Sequence, residues 1–282
     1  MRTPTTSVGL LGDTTRRDYS HKLQRFNGFA AAELRQAIAD LALTRGMRIL
    51  DAGSGTGEAL AWLRQAVGAS GFVAGIDLAA AHVDASRQAA RTDLALVQGD
   101  LTRSCFRPGS FDLVWSANTI NHVRDPIASI RTLATLLRPG GRIAAAQSSL
   151  LPDMLFAWDA DLERAVHDAV RNYYLERYGL SSRDLKGVRA VVGWLRASGL
   201  RNASVRTYVI ERTAPVSAAD EAYLVEVIFR GTWGGERLAP YLSAGQREEL
   251  QRLCDPRHAD FALHRPDFHF LQTFTVAMAE VP

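Results

Sequence analysis

The sequence predicts an α/β fold in which helices flank a mostly parallel sheet, and three observations carry that expectation. The stretch from Met47 to Leu60, M-R-I-L-D-A-G-S-G-T-G-E-A-L, reads as a short apolar strand ending at Asp51, then glycines at alternate positions, then helical apolar spacing through Leu60, Leu63 and Val67. Four more strand-like runs follow: G-F-V-A-G-I-D (71–77), L-A-L-V-Q-G-D-L (94–101), F-D-L-V-W-S-A-N (111–118) and G-R-I-A-A-A-Q (141–147). Helix-length segments separate them, a spacing that implies right-handed crossovers between parallel strands.

The bulk numbers set the class. At 282 residues, 47% hydrophobic and 22% charged, the chain is sized for one large domain with insertions or a domain with a cap. No apolar run is long enough to cross a bilayer, and the first residues lack a signal-peptide core, so neither membrane nor export is expected. The two cysteines, Cys105 and Cys254, have no metal or redox spacing, which points to a reduced cytoplasm. Net charge is +3, and no arginine block is interleaved with aromatics, so a nucleic-acid partner is not expected either.

Taken in order, residues 1–15 read as a flexible arm. From Tyr19, the positions Leu23, Phe26, Phe29, Ala30, Leu34, Ile38 and Leu41 suit one or two amphipathic helices. The glycine turn Gly53, Gly55 and Gly57 leaves the main chain bare for a ligand, because a side chain there would block its approach. Its spacing is G-x-G-x-G; the dinucleotide pattern would need glycine where Glu58 stands. Asp77 closes the second strand, twenty residues past Gly57, where a carboxylate can accept from two ribose hydroxyls; alone it could also cap the next helix. R-P-G-G at 138–141 reads as the stop of the helix before the fifth strand. Beyond residue 150, two helical insertions are expected at about 151–180 and 216–258. A sheet-flanking helix at 181–199 and strands at 205–210 and 268–279 complete the pattern.

The run Asp51–Gly57 has the form D-x-G-x-G-x-G and resembles the first motif of class I S-adenosylmethionine-dependent methyltransferases. The downstream strand tips and the helix, P-G-G, strand sequence resemble the same family, motif by motif from Tyr19 to Gln147, and most closely its small-molecule branch, which includes quinone-biosynthesis and natural-product tailoring enzymes. The resemblance implies a Rossmann-like seven-stranded sheet whose last strand is antiparallel. It divides the chain into an N-terminal arm and helical lid (1–45), a cofactor-binding core (46–150) and the remaining sheet with its helical caps (151–282). It implies S-adenosylmethionine as cofactor, with Asp51, Gly53, Ser54, Gly55 and Gly57 at its amino-acid end, Asp77 and Leu78 at the ribose, and Asp100 and Leu101 at the adenine. Tyr19 and Ser116 are also placed beside it. The N-P-P-Y signature of amino-methylating nucleic-acid and protein-glutamine enzymes is absent; Ser116-Ala117-Asn118 stands there, and the acceptor atom stays open among O, N and C.

Methyl transfer from a sulfonium needs collinear alignment first, and a base only where the acceptor is a weak nucleophile. His122, just past the fourth strand, is the candidate base, with pocket lining the alternative role. Asn118 and Asn121 are candidates to orient an acceptor, or to shape the turn; His167, Tyr173 and Trp233 are candidates to reach it from the insertions, or to pack the core. No His, Cys, Asp and Glu spacing suggests a metal site. Two other readings share these motifs: a protein that binds S-adenosylmethionine and holds or rearranges a substrate without net transfer, and a nicotinamide-dependent dehydrogenase.

Overall fold

The computed structural model describes residues 9–89, 94–103, 105–149, 159–182, 184–185, 187–233 and 235–282. Seven strands form one sheet in the order β3-β2-β1-β4-β5-β7-β6: β1 (Arg48–Ala52), β2 (Phe72–Asp77), β3 (Ala95–Gln98), β4 (Phe111–Ala117), β5 (Leu137–Ser148), β6 (Arg201–Thr213) and β7 (His269–Glu280). Neighbours from β3 to β5 pair in parallel, and β7 runs antiparallel to both β5 and β6. This is the Rossmann-like sheet that the motifs imply.

Central strands buried on both faces read as continuous apolar runs, and the alternation along each strand sorts them into two cores. Ile49, Leu113, Trp115, Ala144, Ala146 and Phe274 face one layer; Leu50, Val114, Ile143, Ala145 and Ala277 face the other. Helix α3 (Glu58–Val67) covers the first face with Leu60, Leu63 and Val67, all fully buried, each contributing about 1.5–3 kcal/mol. Helices α1 (Ser20–Phe29) and α2 (Ala31–Ala39) lie over the same layer through Phe26, Phe29, Leu34 and Ile38. Helix α4 (Ala80–Ala89) links β2 to β3. Helices α5 (Pro126–Ala134) and α7 (Gly187–Ala197) cover the opposite face with Ile130, Leu133, Val191 and Leu195.

The R-P-G-G expectation is corrected. Helix α5 stops at Ala134, and Gly140, at φ 73°, lies inside the opening of β5, next to the register shift between β4 and β5. The C-terminal insertions are helical as expected: α6 (Ala160–Tyr178), α8 (Ala218–Tyr223) continuing into π-helical turns over Leu224–Trp233, and α9 (Ala244–Cys254). Residues 1–8 and 150–158 of the expected arm and first insertion lie outside the described residues. Residues 9–15 are not a free arm; they pack across the site described next.

Candidate active site

Strand order reverses between β1 and β4, and in open α/β sheets ligands bind outside the carboxyl ends of the strands at that switch point. Four loops meet there, each leaving a strand tip. In the first, Gly53, Gly55 and Gly57 take φ of 86°, 52° and 92°, a region that other residues rarely enter. The amides of Gly53 and Ser54 both donate to the Ile76 carbonyl, at 2.8 and 3.0 Å, which folds the loop against β2. A Cβ on Gly53 would stand 2.2 Å from Thr119 Oγ1, so this glycine also lets the β4 loop close over the turn. Gly57 caps α3 rather than lining the cavity, and a Cβ there would stand 2.3 Å from Ser86 Oγ.

Asp77 binds the turn to the second strand tip. Its Oδ2 accepts from the Gly55 amide at 2.9 Å, and its Oδ1 accepts from the Ala79 amide at 2.9 Å and lies 3.1 Å from His82 Nδ1. His82 is 1% exposed, its Nε2 has no partner, and its ring meets Tyr19 edge-on at 4.3 Å between centroids. Tyr19 caps α1 and carries the Arg17 guanidinium 4.9 Å above its ring; burial pushes its phenol well above the usual range. Leu78, Asp100 and Leu101 line a recess of about 90 Å³ beside Asp77 and His82. Asp100 holds its loop by accepting from the Thr102 amide and hydroxyl, at 2.9 and 2.7 Å.

The β4 loop brings His122. Its Nδ1 lies 3.1 Å from Asp13 Oδ2, and its carbonyl accepts from the Leu10 amide at 2.7 Å. Asp13 is also 3.1 Å from Arg17 Nη1. Burial pushes the Asp13 carboxyl upward, but the hydrogen bond and charge of His122, with Arg17 beside it, hold it below the usual carboxylate range. The N-terminal arm is therefore strapped across the site by the Asp13 contact to the His122 ring and the Leu10 amide bond to the His122 carbonyl.

A cavity of about 800 Å³ opens from the glycine turn to the underside of α1, α2 and the π-helical turns. Pockets for one small ligand run to about 300–1,000 Å³, so the upper part of that range suits a cofactor with a second molecule. Asp51, at the tip of β1, is 2% exposed, lines this cavity and leaves Oδ2 unpartnered. Burial, with the charges of Asp77 and Glu58 nearby, pushes its carboxyl up to about 8. Ser54 Oγ and Asn121 Oδ1 are buried on the same lining without partners.

The cavity and its recess thus bring together Tyr19, Asp51, Gly53, Ser54, Gly55, Asp77, Leu78, Asp100, Leu101, Asn118, Asn121 and His122. Other expected residues do different work. Ser116 is fully buried and donates to the Ala52 carbonyl at 2.7 Å, joining β4 to β1. Asn118, at φ 52°, accepts from the Ser148 amide and hydroxyl through its Oδ1, so this side-chain oxygen braces β5. Trp233 is corrected from substrate contact to core: it is 4% exposed and stacks on Phe229, because the helical turns continue through Gly231. His167 and Tyr173 also fall outside the lining; on the same helix, Arg171 and Tyr174 are the residues turned toward the cavity. Asp13, His82 and Trp115 are additions. His82 carries a signal, a histidine near the start of the helix after Asp77, whereas Asp13 sits in an aperiodic arm and carries none. Among the described residues, no group of three or more His, Cys, Asp or Glu is placed to hold a metal, and no helix is long and apolar enough to cross a membrane.

Comparison with known proteins agrees with this geometry. Residues 50–145 match a methyltransferase domain family. Demethylmenaquinone methyltransferase from Staphylococcus aureus is 28% identical over 137 residues, which cover 46% of this chain and 57% of that protein; the match thus spans little more than half the length of this relative. Among solved structures, the YcgJ protein from Bacillus subtilis superposes with a TM-score of 0.57 at 14% identity, over 88% of this chain and 98% of its own. A putative methyltransferase from Bacillus halodurans gives 0.53 at 14% identity, over 89% and 99%. At such identities these structures speak for the fold alone. The match over residues 50–145 makes that stretch a methyltransferase domain, in agreement with the resemblance that the Asp51–Gly57 motif carries to the class I S-adenosylmethionine-dependent enzymes.

Proposed function

We propose that the protein transfers a methyl group from S-adenosylmethionine to a small-molecule acceptor held in the 800 Å³ cavity. The observation that carries this reading is the buried Asp51 carboxyl, its Oδ2 unpartnered, beside a bare glycine turn whose Gly55 amide is fastened to Asp77. A ligand with a cationic amino-acid end and an unphosphorylated ribose satisfies both acids. The donor supplies a methyl on a sulfonium, already bearing a good leaving group. Gly53–Gly55 would carry its amino-acid end, Asp51 its ammonium and Asp77 its ribose hydroxyls, with Asp100 and Leu101 at the base.

The chain's own contribution is then placement and proton handling. Helices α1 and α2 and the π-helical turns exclude water from the acceptor side. Where the acceptor is a hydroxyl, His122 takes its proton, and Asp13 on Nδ1 both orients the ring and stabilises the imidazolium. The similarity to demethylmenaquinone methyltransferase supports a quinone-like acceptor. A dinucleotide fits poorly: Glu58 opens α3 where a pyrophosphate would sit, its carboxylate accepting from Asn27 Nδ2 at 2.8 Å and Thr56 Oγ1 at 2.7 Å.

The test is incubation with methyl-labelled S-adenosylmethionine and separate panels of quinols, phenols, carboxylic acids and amines. Label should move into an acceptor product. Label that never leaves a tightly bound cofactor, across all panels, would contradict methyl transfer and favour the reading in which the cofactor is held without it.

A further inference from the structure

The acceptor end of the cavity has a chemistry of its own. Its walls are Phe26, Leu34 and Ile38 from α1 and α2, with Tyr223 and Ile228 from the opposite insertion. At its rim, Lys22 of α1 and Arg171 of α6 line the same space, and neither has a carboxylate partner among the described residues. Lys22 faces cations instead: burial, then the charges of Arg237 and Arg17, hold its ammonium below the usual lysine range. Arg17 is already engaged by Asp13, and Arg189, Asp18 and Asp184 also line the cavity, so the case for an anion rests on Lys22 and Arg171 and not on an overall excess of positive charge. The two acids deeper in the cavity, Asp51 and Asp77, belong to the cofactor end.

Trp115 adds a second, independent feature. It is 1% exposed, lines the cavity, and its Nε1 donor has no partner. It stands in parallel register with Asp51 on the neighbouring strand, and register partners in a parallel pair share a face. A buried donor without an acceptor is destabilising, and a bound oxygen would relieve it.

We propose that the acceptor is an apolar molecule carrying an anionic group, the apolar body enclosed between α1, α2 and the π-helical turns, the anion at Lys22 and Arg171, and an oxygen atom at Trp115 Nε1. Carboxylate and phosphate share the chemistry that would satisfy the rim. The inference rests on the methyltransferase reading, since it assigns the glycine-turn end to the cofactor.

The experiment uses the full chain saturated with S-adenosylhomocysteine, after calorimetry has shown that this ligand binds; failure at that step would sink the parent reading and not this one alone. Binding of 1-anilinonaphthalene-8-sulfonate is then compared with that of uncharged N-phenyl-1-naphthylamine by fluorescence. The sulfonate should bind about tenfold more tightly, the modest factor expected for rim charges. The K22Q/R171Q pair should erase that preference while leaving the neutral probe and S-adenosylhomocysteine unaffected. Competition by 1-naphthoate against 1-naphthyl phosphate tells which anion the rim prefers. Equal binding of the two probes, no sulfonate binding at all, or an unchanged preference in K22Q/R171Q would overturn the proposal.

Discussion

The Asp13 carboxylate stands 3.1 Å from His122 Nδ1, joining the N-terminal arm to the β4 loop across 109 positions of sequence. Both side chains are mostly sheltered, with exposures of 14% and 18%. A hydrogen bond to a carboxylate in such a setting, discounted for its remaining exposure, stabilises by about 1–2 kcal/mol, around the lower end of the values for bonds to charged groups. D13A should therefore speed tryptic cleavage after Arg16 and Arg17 by roughly 5–30-fold under conditions where arm opening limits access. H122A should do the same, and the double variant should be no worse than either alone. Additive effects in the double variant would show that the two residues do not act on the arm as a pair.

Asp51 gives a pH signature with a fixed sign. Its folded carboxyl titrates at about 8, whereas an unfolded aspartate titrates near 3.9. Between those values the folded, ligand-free protein holds a proton that the unfolded chain has lost, so this group's contribution to stability falls as pH rises through the window. D51N should flatten that fall, read as Tm against pH. A cationic ligand group beside Asp51 favours the carboxylate, so cofactor binding at pH 7 should release up to about one proton. Calorimetry in buffers of different ionisation enthalpy measures it; proton uptake, or release that persists in D51N, would remove Asp51 from the ligand's cationic end.

Gly53 tests the turn. An alanine there meets Thr119 Oγ1 at 2.2 Å and must hold φ near 86°. G53A should lose about 1–3 kcal/mol of stability from backbone strain alone and weaken S-adenosylhomocysteine binding further than that strain explains. G109A, at an exposed glycine with open space around it, is the control for strain at positive φ without a ligand nearby. Equal affinity in G53A and G109A would show that the β1 turn does not hold the ligand.

These residues also show how much of the site is encoded in local sequence. The glycine turn, Asp77 and Asp100 were legible because strand-tip chemistry lies within short, regular segments, where local spacing decides position. Asp13 was not, because an aperiodic arm carries no signal for where it folds back. Trp233 was misplaced for a related reason: G-T-W-G-G reads as a break, but packing of Phe229 and Trp233 carries the helical turns through Gly231. Likewise R-P-G-G reads as a helix stop, yet pairing with β4 draws it into β5. Tertiary contacts, which sequence spacing does not encode, made both decisions.

Asp77 accepts from the Gly55 and Ala79 amides and faces His82, so its removal leaves two backbone donors and a buried imidazole uncompensated. D77A should weaken S-adenosylhomocysteine by about ten- to a hundredfold, the equivalent of one charge-assisted bond. Unchanged affinity would place the ribose elsewhere.

The central claim is that the turn from Asp51 to Gly57 receives a sulfonium nucleoside. Parallel calorimetric titrations of the purified protein with S-adenosylhomocysteine and with NADH test it most directly. One site per chain for S-adenosylhomocysteine, lost in D77A, with no heat from NADH, is the expected result; binding of NADH with none of S-adenosylhomocysteine would contradict it.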